Sequence, residues 1–371
     1  MQKLFAIFCI GLLACSMTTV SARSCKALVI AGGADLGSYE AGVIQGLVQA
    51  YNELGQVSEV YWDVISGVSV GAITAVGLGQ FPKEQTVEMA NWVVNLWENI
   101  SKSDVYSNYL GGVVQGFLFE ESLFKTDPLR AFLKKNVTRK QTRKLVIGVT
   151  NANTGEYERY NESLSDADLI EAVMCSSAVP AFFPYQIFKG NTYFDGGVVR
   201  AADVFGAIDR CKELVDDVSQ ITVDVILVTS KTFEQDVPDD LKPIKVGTLS
   251  QKVKDHHNAR RSLLEAYEAF PTINWRHIIN PQTKLPDADF PFFNDIYIKK
   301  QNFNHKQLLQ MIDQGRNEGR AAVQQHTSYE SSRNGNDETS NLSLSAKLAF
   351  MDAYEAVFDR YNISYNKTTS A

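Results

Sequence analysis

Two short stretches of this 371-residue chain combine residue types that can perform acyl transfer. The first is Gly67-Val68-Ser69-Val70-Gly71, a G-x-S-x-G motif between the apolar run DVIS and the helix-forming run AITAVGL. A serine on a sharp turn from strand to helix needs small neighbours that leave its hydroxyl exposed, and the start of the helix favours negative charge on that oxygen. This context predicts that Ser69 is a nucleophile flanked by Gly67 and Gly71.

A serine nucleophile also needs donors for the developing oxyanion, and an earlier loop offers them. Gly32, Gly33 and Gly37 lie between the apolar run ALVI and a helical stretch. A P-loop needs Lys followed by Ser or Thr after its last glycine, and a dinucleotide-binding loop needs the spacing G-x-G-x-x-G. This loop has neither pattern. The backbone N–H groups at this helix start are therefore predicted to bind an oxyanion rather than a phosphate.

The residue types leave the identity of the base open. Asp195 lies in TYFDGGVV, where Gly196 and Gly197 give a carboxylate at a strand end room to reach another side chain. The same pattern is typical of a plain Asx turn. A Ser-His-Asp triad esterase that uses a histidine such as His277 is the alternative.

Taken together, these segments resemble the patatin-like phospholipases, which are lipid acyl hydrolases with a Ser–Asp dyad. The resemblance covers about Lys26 to Val323 and rests, in order, on GSYEAGVIQGL, DVISGVSVGAITA, TDPLRAFL, KLVIGVTNANTGEY and CSSAVPAFFPYQIFKGNTYFDGG. It implies that Ser69 attacks a fatty acyl ester and that Asp195 accepts the serine proton, with an acyl-enzyme intermediate. The implied substrates are phospholipids, lysophospholipids or galactolipids at a membrane or micelle surface.

By the same resemblance, the backbone amides of Gly33 and Ala34 form the oxyanion hole and Gly32 shapes the turn. The family pattern has a third glycine where Ala34 stands and a basic residue where Leu36 stands. Asp35 is expected to cap the following helix. Because of these departures, a catalytically degenerate binding or storage glycoprotein of the same fold is a second alternative.

The elements that must position these residues alternate along the chain. ALVIAGG, VYWDVISG, KLVIGVTN and VDVILVTS predict buried strands, and EAGVIQGLVQAYNEL, VEMANWVVNLWENI, DPLRAFLKKN and DADLIEAVMCSS predict helices. This alternation indicates an α/β fold with a mostly parallel central sheet and helices on both faces, related to the three-layer α/β-hydrolase architecture. The acyl hydrolase domain is predicted at residues 23–325, with a polar linker and a C-terminal amphipathic helix at 326–371.

The N-terminal residues predict entry into the secretory route. Lys3 precedes the apolar run LFAIFCIGLLAC, and small residues lead to Ala22, so residues 1–22 are predicted to be a cleaved signal peptide. No later segment is apolar enough to span a membrane, and the predicted location is secreted or in an endomembrane or lysosomal lumen. Six sequons are candidate glycosylation sites, at Asn99, Asn136, Asn161, Asn341, Asn362 and Asn366.

Charge and cysteine content exclude several classes. The net charge is −7 and no basic run is present, which argues against nucleic acid as a partner. Neither C-x-x-C nor H-E-x-x-H occurs, and no cofactor or metal site is predicted. Cys25 and Cys211 are able to form a bridge, whereas Cys175, in the apolar run VMCSSAVP, is expected to be a buried thiol.

Overall fold

The structure is a computed structural model that describes residues 23–33, 36–230, 237, 243–286 and 305–332. Its strands are β1 (Cys25–Ile30), β2 (Val64–Val68), β3 (Lys144–Asn151), β4 (Tyr157–Tyr160), β5 (Gln186–Phe188), β6 (Asn191–Asp195), β7 (Ile221–Ile226) and β8 (Asn274–Ile279). Its helices are α1 (Gly37–Glu53), α2 (Val70–Gly79), α3 (Thr86–Asn99), α4 (Lys102–Val105), α5 (Gly112–Phe119), α6 (Asp127–Asn136), α7 (Asp166–Ser176), α8 (Val204–Lys212), α9 (Pro243–Ala269) and α10 (His305–Ser332). The predicted signal peptide, the C-terminal amphipathic helix and the sequons at Asn341, Asn362 and Asn366 lie outside the described residues.

The strands form one mixed sheet, hydrogen-bonded in the order β5-β6-β3-β2-β1-β7-β8, with β4 paired to β3. The pairs β3–β2, β2–β1, β1–β7 and β7–β8 are parallel, and β4, β5 and β6 are added in antiparallel pairs. The four predicted apolar strands are β1, β2, β3 and β7, which form the parallel centre. The predicted mostly parallel α/β fold is therefore confirmed.

Side chains of β1 alternate between two apolar layers. Leu28 and Ile30 belong to the cluster formed with α1, α2, α3 and α10. Ala27 and Val29 belong to a second cluster, formed with α8 and α9. Because successive side chains of a strand point to opposite faces, this division shows that helices cover both faces of the sheet, as predicted.

Helix α10 lies beside α1 and extends further than the sequence indicates. Tyr39 donates to Glu318 at 2.6 Å, Arg316 donates to Gln45 at 2.6 Å, and Arg320 pairs with Glu53, so side chains at three turns join the two helices. The helix runs to Ser332 and therefore crosses the boundary predicted at residue 326. In this stretch the hydroxyl of Thr327 donates to the carbonyl of Val323 one turn earlier, so its polar side chain is accommodated on the helix surface.

The cysteine predictions are confirmed. Cys25 of β1 and Cys211 of α8 form a disulfide with a Cα–Cα distance of 5.6 Å, and Cys175 is free and buried. Burial raises the pKa of the Cys175 thiol to about 12, so this residue is not a ready nucleophile. Among the described residues, no helix is long and apolar enough to cross a membrane.

Candidate active site

Ser69 occupies a strained turn between β2 and α2. Its backbone has φ 56° and ψ −123°, which is costly for a residue with a Cβ atom, and it is the N-cap of α2. A Cβ at Gly67 would lie 2.1 Å from the carbonyl oxygen of Gly71, and a Cβ at Gly71 would lie 2.4 Å from that of Ile30. Both predicted glycines are therefore required by close backbone approach. The geometry is that of a nucleophile elbow.

The end of β6 meets the end of β2. On β3, Gly148 pairs with Val68 of β2, and the next residue, Val149, pairs with Asp195 of β6. Strand β4 pairs with both Gly148 and Val149. Because a strand has only two edges, β4 lies along one edge and β2 and β6 share the other. The last residue of β2 and the last residue of β6 are thus about one residue rise, ~3.3 Å, apart along β3. This arrangement brings the turn at Ser69 to Asp195.

Close packing after β6 depends on the glycine that follows Asp195. A Cβ at Gly196 would lie 2.4 Å from the carbonyl oxygen of Gly148 and 2.9 Å from Cγ1 of Val68. The carboxylate of Asp195 accepts the N–H of Gly197 at 2.7 Å, so the Asx turn considered from the sequence is present. The turn and the proximity to Ser69 are compatible, because the turn fixes the carboxylate at the strand end.

The glycine loop lies against Ser69. A Cβ at Gly32 would be 3.1 Å from the Cβ of Ser69, and one at Gly33 would be 2.1 Å from a methyl group of Val228. The N–H of Gly32 donates to the carbonyl of Ala201 at 2.7 Å. Gly32 therefore ties the loop to the segment after Asp195, which agrees with a shaping role. Ala34 and Asp35, with the predicted oxyanion donor and helix cap, lie outside the described residues.

Sequence reasoning missed the roles of three residues at the end of α7, Ser176, Ser177 and Ala178. The hydroxyl of Ser176 accepts the N–H of Ser69 at 2.9 Å and donates to the carbonyl of Gly148 at 2.7 Å. The hydroxyl of Ser177 donates to the carbonyl of Ser69 at 3.3 Å. The carbonyl of Ala178 accepts the N–H of Asp195 at 2.9 Å. The only sequence signal was the pair of serines before Ala-Val-Pro.

A known protein family matches the part of the chain that carries this site. Residues 28–208 match the model of the family described as patatin-like phospholipase. This segment is a patatin-like phospholipase domain. It contains the glycine loop, Ser69, Ser176 and Asp195.

Two solved structures align with much of the chain at low identity. VipD from Legionella pneumophila is 14% identical, with 92% of this chain and 75% of that chain covered and a TM-score of 0.38. The type III effector protein ExoU is 11% identical, with 82% of this chain covered and a TM-score of 0.29. The match spans 53% of the ExoU chain. No curated protein sequence matches.

A histidine candidate considered from the sequence lies away from the elbow of the patatin-like domain. His277 is on β8, which is separated from β2 by β7 and β1. Its ring is fully buried and hydrogen-bonded to the hydroxyl of Tyr51 at 2.8 Å. Burial lowers the pKa of His277 to about 3, against the opposing charge of Asp224, so the ring is neutral. The alternative that His277 is the base of Ser69 is therefore wrong.

A buried carboxyl group lies behind the elbow of the patatin-like domain. Glu40, in the first turn of α1, accepts the hydroxyl of Thr74 of α2 at 3.0 Å and is fully buried. Burial raises the pKa of Glu40 to about 8, although the hydrogen bond from Thr74 acts in the opposite direction. At neutral pH this group is therefore predominantly protonated, and it joins the helix after the glycine loop to the helix after Ser69 without adding a negative charge.

Proposed function

We propose that this patatin-like domain is a lipid acyl hydrolase in which Ser69 is the nucleophile and Asp195 is the base. The family match supports lipid acyl hydrolase activity in general. The observation that carries the specific proposal is the meeting of two strand ends, with the strained Ser69 at the end of β2 and Asp195 at the end of β6. Strained backbone is retained where the surrounding structure enforces it, which is common at reacting groups.

The proposed reaction has two acyl transfers. Ser69 Oγ attacks the ester carbonyl while its proton moves to the Asp195 carboxylate, and the N–H groups of Gly33 and Ala34 stabilise the tetrahedral oxyanion. The intermediate collapses, the ester C–O bond breaks, and Asp195 returns the proton to the departing alcohol. Water then attacks the acyl-enzyme, gives its proton to Asp195, and the second intermediate releases the fatty acid as Ser69 recovers its proton.

The proposed substrates are fatty acyl esters of phospholipids, lysophospholipids or galactolipids at a membrane or micelle surface. The decisive experiment measures fluorophosphonate labelling, mapped by mass spectrometry, and fatty acid release from phosphatidylcholine vesicles. Ser69→Ala is expected to abolish both signals. Asp195→Asn keeps an oxygen that can accept the N–H of Gly197 but removes the base, so release is expected to fall by roughly 10² to 10⁴-fold with the melting temperature little changed.

Two outcomes would contradict this proposal. Full activity in Asp195→Asn together with loss in a histidine variant would replace the dyad with a triad. Absence of labelling at Ser69 in the folded wild-type chain would favour the degenerate binding or storage glycoprotein. A matched control is Asp217→Asn, because Asp217 is another aspartate that accepts an N–H two residues later, from Ser219, in a turn remote from β2.

We also propose that the chain is processed in the secretory route and acts outside the cell or in an endomembrane or lysosomal lumen. The Cys25–Cys211 disulfide supports this, because structural disulfides persist in oxidising compartments. Among the sequons in the described residues, Asn99 is exposed and Asn136 and Asn161 are partly exposed. Expression in a eukaryotic secretory host should yield a chain beginning near Arg23 whose mass falls on treatment with an N-glycosidase. An unglycosylated chain that keeps residues 1–22 would contradict the proposal.

A further inference from the structure

The end of α7 contacts both residues of the proposed dyad. We propose that Ser176 is a positioning residue that holds Ser69 in its reactive backbone conformation, an inference that rests on the proposed acyl hydrolase function. The hydroxyl of Ser176 bonds to the backbone N–H of Ser69, not to the hydroxyl that reacts. It acts through the backbone of Ser69, while its neighbour Ala178 holds the backbone of Asp195.

The hydroxyl of Ser176 links two neighbouring strands at the point where β2 ends. Val68 and Gly148 are the last paired residues of β2 and β3. At the next residue the chain turns, and Ser176 Oγ lies between the N–H of Ser69 and the carbonyl of Gly148, accepting from one and donating to the other. The hydroxyl thereby satisfies two backbone groups that the turn at Ser69 leaves without a direct bond to each other.

The hydrogen bonds of Ser176 distinguish it from an ordinary helical serine. A serine in a helix commonly donates to the carbonyl one turn earlier in its own helix. Ser176 is in the last turn of α7 and is fully buried, yet its two bonds go to the turn at Ser69 and to Gly148 of β3. Ser177, the C-cap of α7, adds a bond to the carbonyl of Ser69, so the peptide groups on both sides of Ser69 are held by the same helix end.

This arrangement explains how a non-glycine residue keeps a positive φ. An L-residue leaves such a conformation unless its surroundings fix it. Alanine at position 176 would leave the N–H of Ser69 and the carbonyl of Gly148 buried without this partner. The backbone at Ser69 would then be expected to move to a less strained conformation. Displacement of Ser69 Oγ relative to Asp195 would then slow acylation without changing how substrate binds.

The test compares Ser176→Ala with Ser165→Ala, which removes a hydroxyl from the opposite end of the same helix. Ser165 is the N-cap of α7 and accepts the N–H of Asp168, so its loss weakens α7 without touching the elbow. The readouts are the rate of fluorophosphonate labelling at Ser69, kcat and KM on a soluble ester, and the melting temperature. In Ser176→Ala, labelling and kcat are expected to fall roughly 10- to 100-fold with KM within about twofold of wild type.

The control variant should label at a rate close to wild type even if its melting temperature falls as much. Equal labelling rates in the two variants would overturn the proposal. If Ser176→Ala does not fold, Ser176→Cys fills the same space with a much weaker donor and acceptor, and it is expected to show a smaller decrease in labelling with a partly displaced turn at Ser69. Wild-type rates in a folded Ser176→Cys, together with an unchanged turn, would overturn it as well.

A structural readout separates this proposal from the proposed function. A crystal structure of the folded variant, Ser176→Ala or Ser176→Cys, is expected to show Ser69 outside its positive φ region or in two conformations. A Ser69 that keeps the wild-type φ and ψ would contradict the positioning role, whether or not the wild-type chain is labelled. Failure of the wild type to be labelled would contradict the hydrolase proposal alone.

Discussion

The central sheet buries two polar clusters of opposite character. At the elbow, Ser69 and Asp195 lie where two strand ends meet, and Ser69 has strained backbone. On the strands β7 and β8, Asp224 and Arg276 form a buried ion pair, and Trp62 donates to the same carboxylate at 2.7 Å. The difference is that neither Asp224 nor Arg276 has a positive φ, although the β7–β8 register shifts at Asp224, and the charges of this cluster satisfy one another.

The ion pair also differs from the elbow in its electrostatics. Burial alone would raise the pKa of Asp224, but the charge and hydrogen bonds of Arg276 outweigh burial and hold that pKa below its usual value. A charge so firmly paired is poorly suited to exchanging a proton near neutral pH. Burial of an acid therefore does not by itself indicate catalysis. A buried acid beside a residue with enforced backbone strain, such as Ser69, does favour it.

The largest expected effect comes from breaking the ion pair. Asp224→Ala leaves Arg276 buried without its main partner and should lower the free energy of unfolding by about 3–5 kcal/mol, measured by urea denaturation. The matched control is Glu59→Ala, which removes the half-exposed second partner of Arg276 and should cost less than about 1 kcal/mol.

The same variant tests whether the two clusters are independent. β7 is separated from β2 by β1, so folded Asp224→Ala should label at Ser69 at nearly the wild-type rate. A loss of labelling that exceeds the unfolded fraction would show that the ion pair also serves the elbow. In that case the proposed contrast between a structural cluster and a reactive cluster would not hold.

A third buried acid, Glu40, has neither the strained neighbour of the elbow nor the paired charge of Asp224. Its pKa is raised from 4.5 to about 8 because burial penalises the charged form. The folded state therefore binds the proton more tightly than the unfolded state, so this stabilisation is complete below about pH 4.5 and is lost as pH rises to about 8. The loss for one group across this window is on the order of a few kcal/mol.

Glu40→Gln should therefore flatten the decrease in melting temperature between pH 5 and pH 8.5, since glutamine resembles the protonated acid at every pH. Glu53→Gln, at the other end of α1, changes an exposed carboxylate that pairs with Arg320 and should leave this decrease in place. A steep decrease in Glu40→Gln equal to that of wild type would show that Glu40 does not bind the proton in the folded state.

The central fold was predictable because its strands are continuous apolar runs. β8 escaped detection because Arg276 and His277 interrupt the apolar pattern of NWRHII. Arg276 bonds to Asp224, and Nε2 of His277 bonds to Tyr51, residues that are 52 and 226 positions away in the chain. The periodicity of a short segment cannot show that its buried polar side chains have partners so far away in the chain. The short antiparallel strands β4 and β5 gave too few residues to form a pattern.

The site was predictable to the extent that backbone geometry demands particular residues. Gly67 and Gly71 mark the turn at Ser69 because no side chain fits there. Asp195 was named through family resemblance, since Asp-Gly-Gly also describes the Asx turn that the structure contains. The role of Ser176 could not be predicted, because its two partners are 107 and 28 residues away.

The smallest expected effect addresses the strain at the elbow itself. Ser69→Gly removes the Cβ atom that makes φ 56° unfavourable, while Ser69→Ala keeps it. The glycine variant should be more stable than the alanine variant by about 1 kcal/mol, because the strain relieved is partly offset by the greater freedom of unfolded glycine. Both variants should lack fluorophosphonate labelling. A glycine variant that is less stable than the alanine variant would show that the turn at Ser69 carries no strain, and backbone strain would then no longer distinguish the elbow from the ion pair.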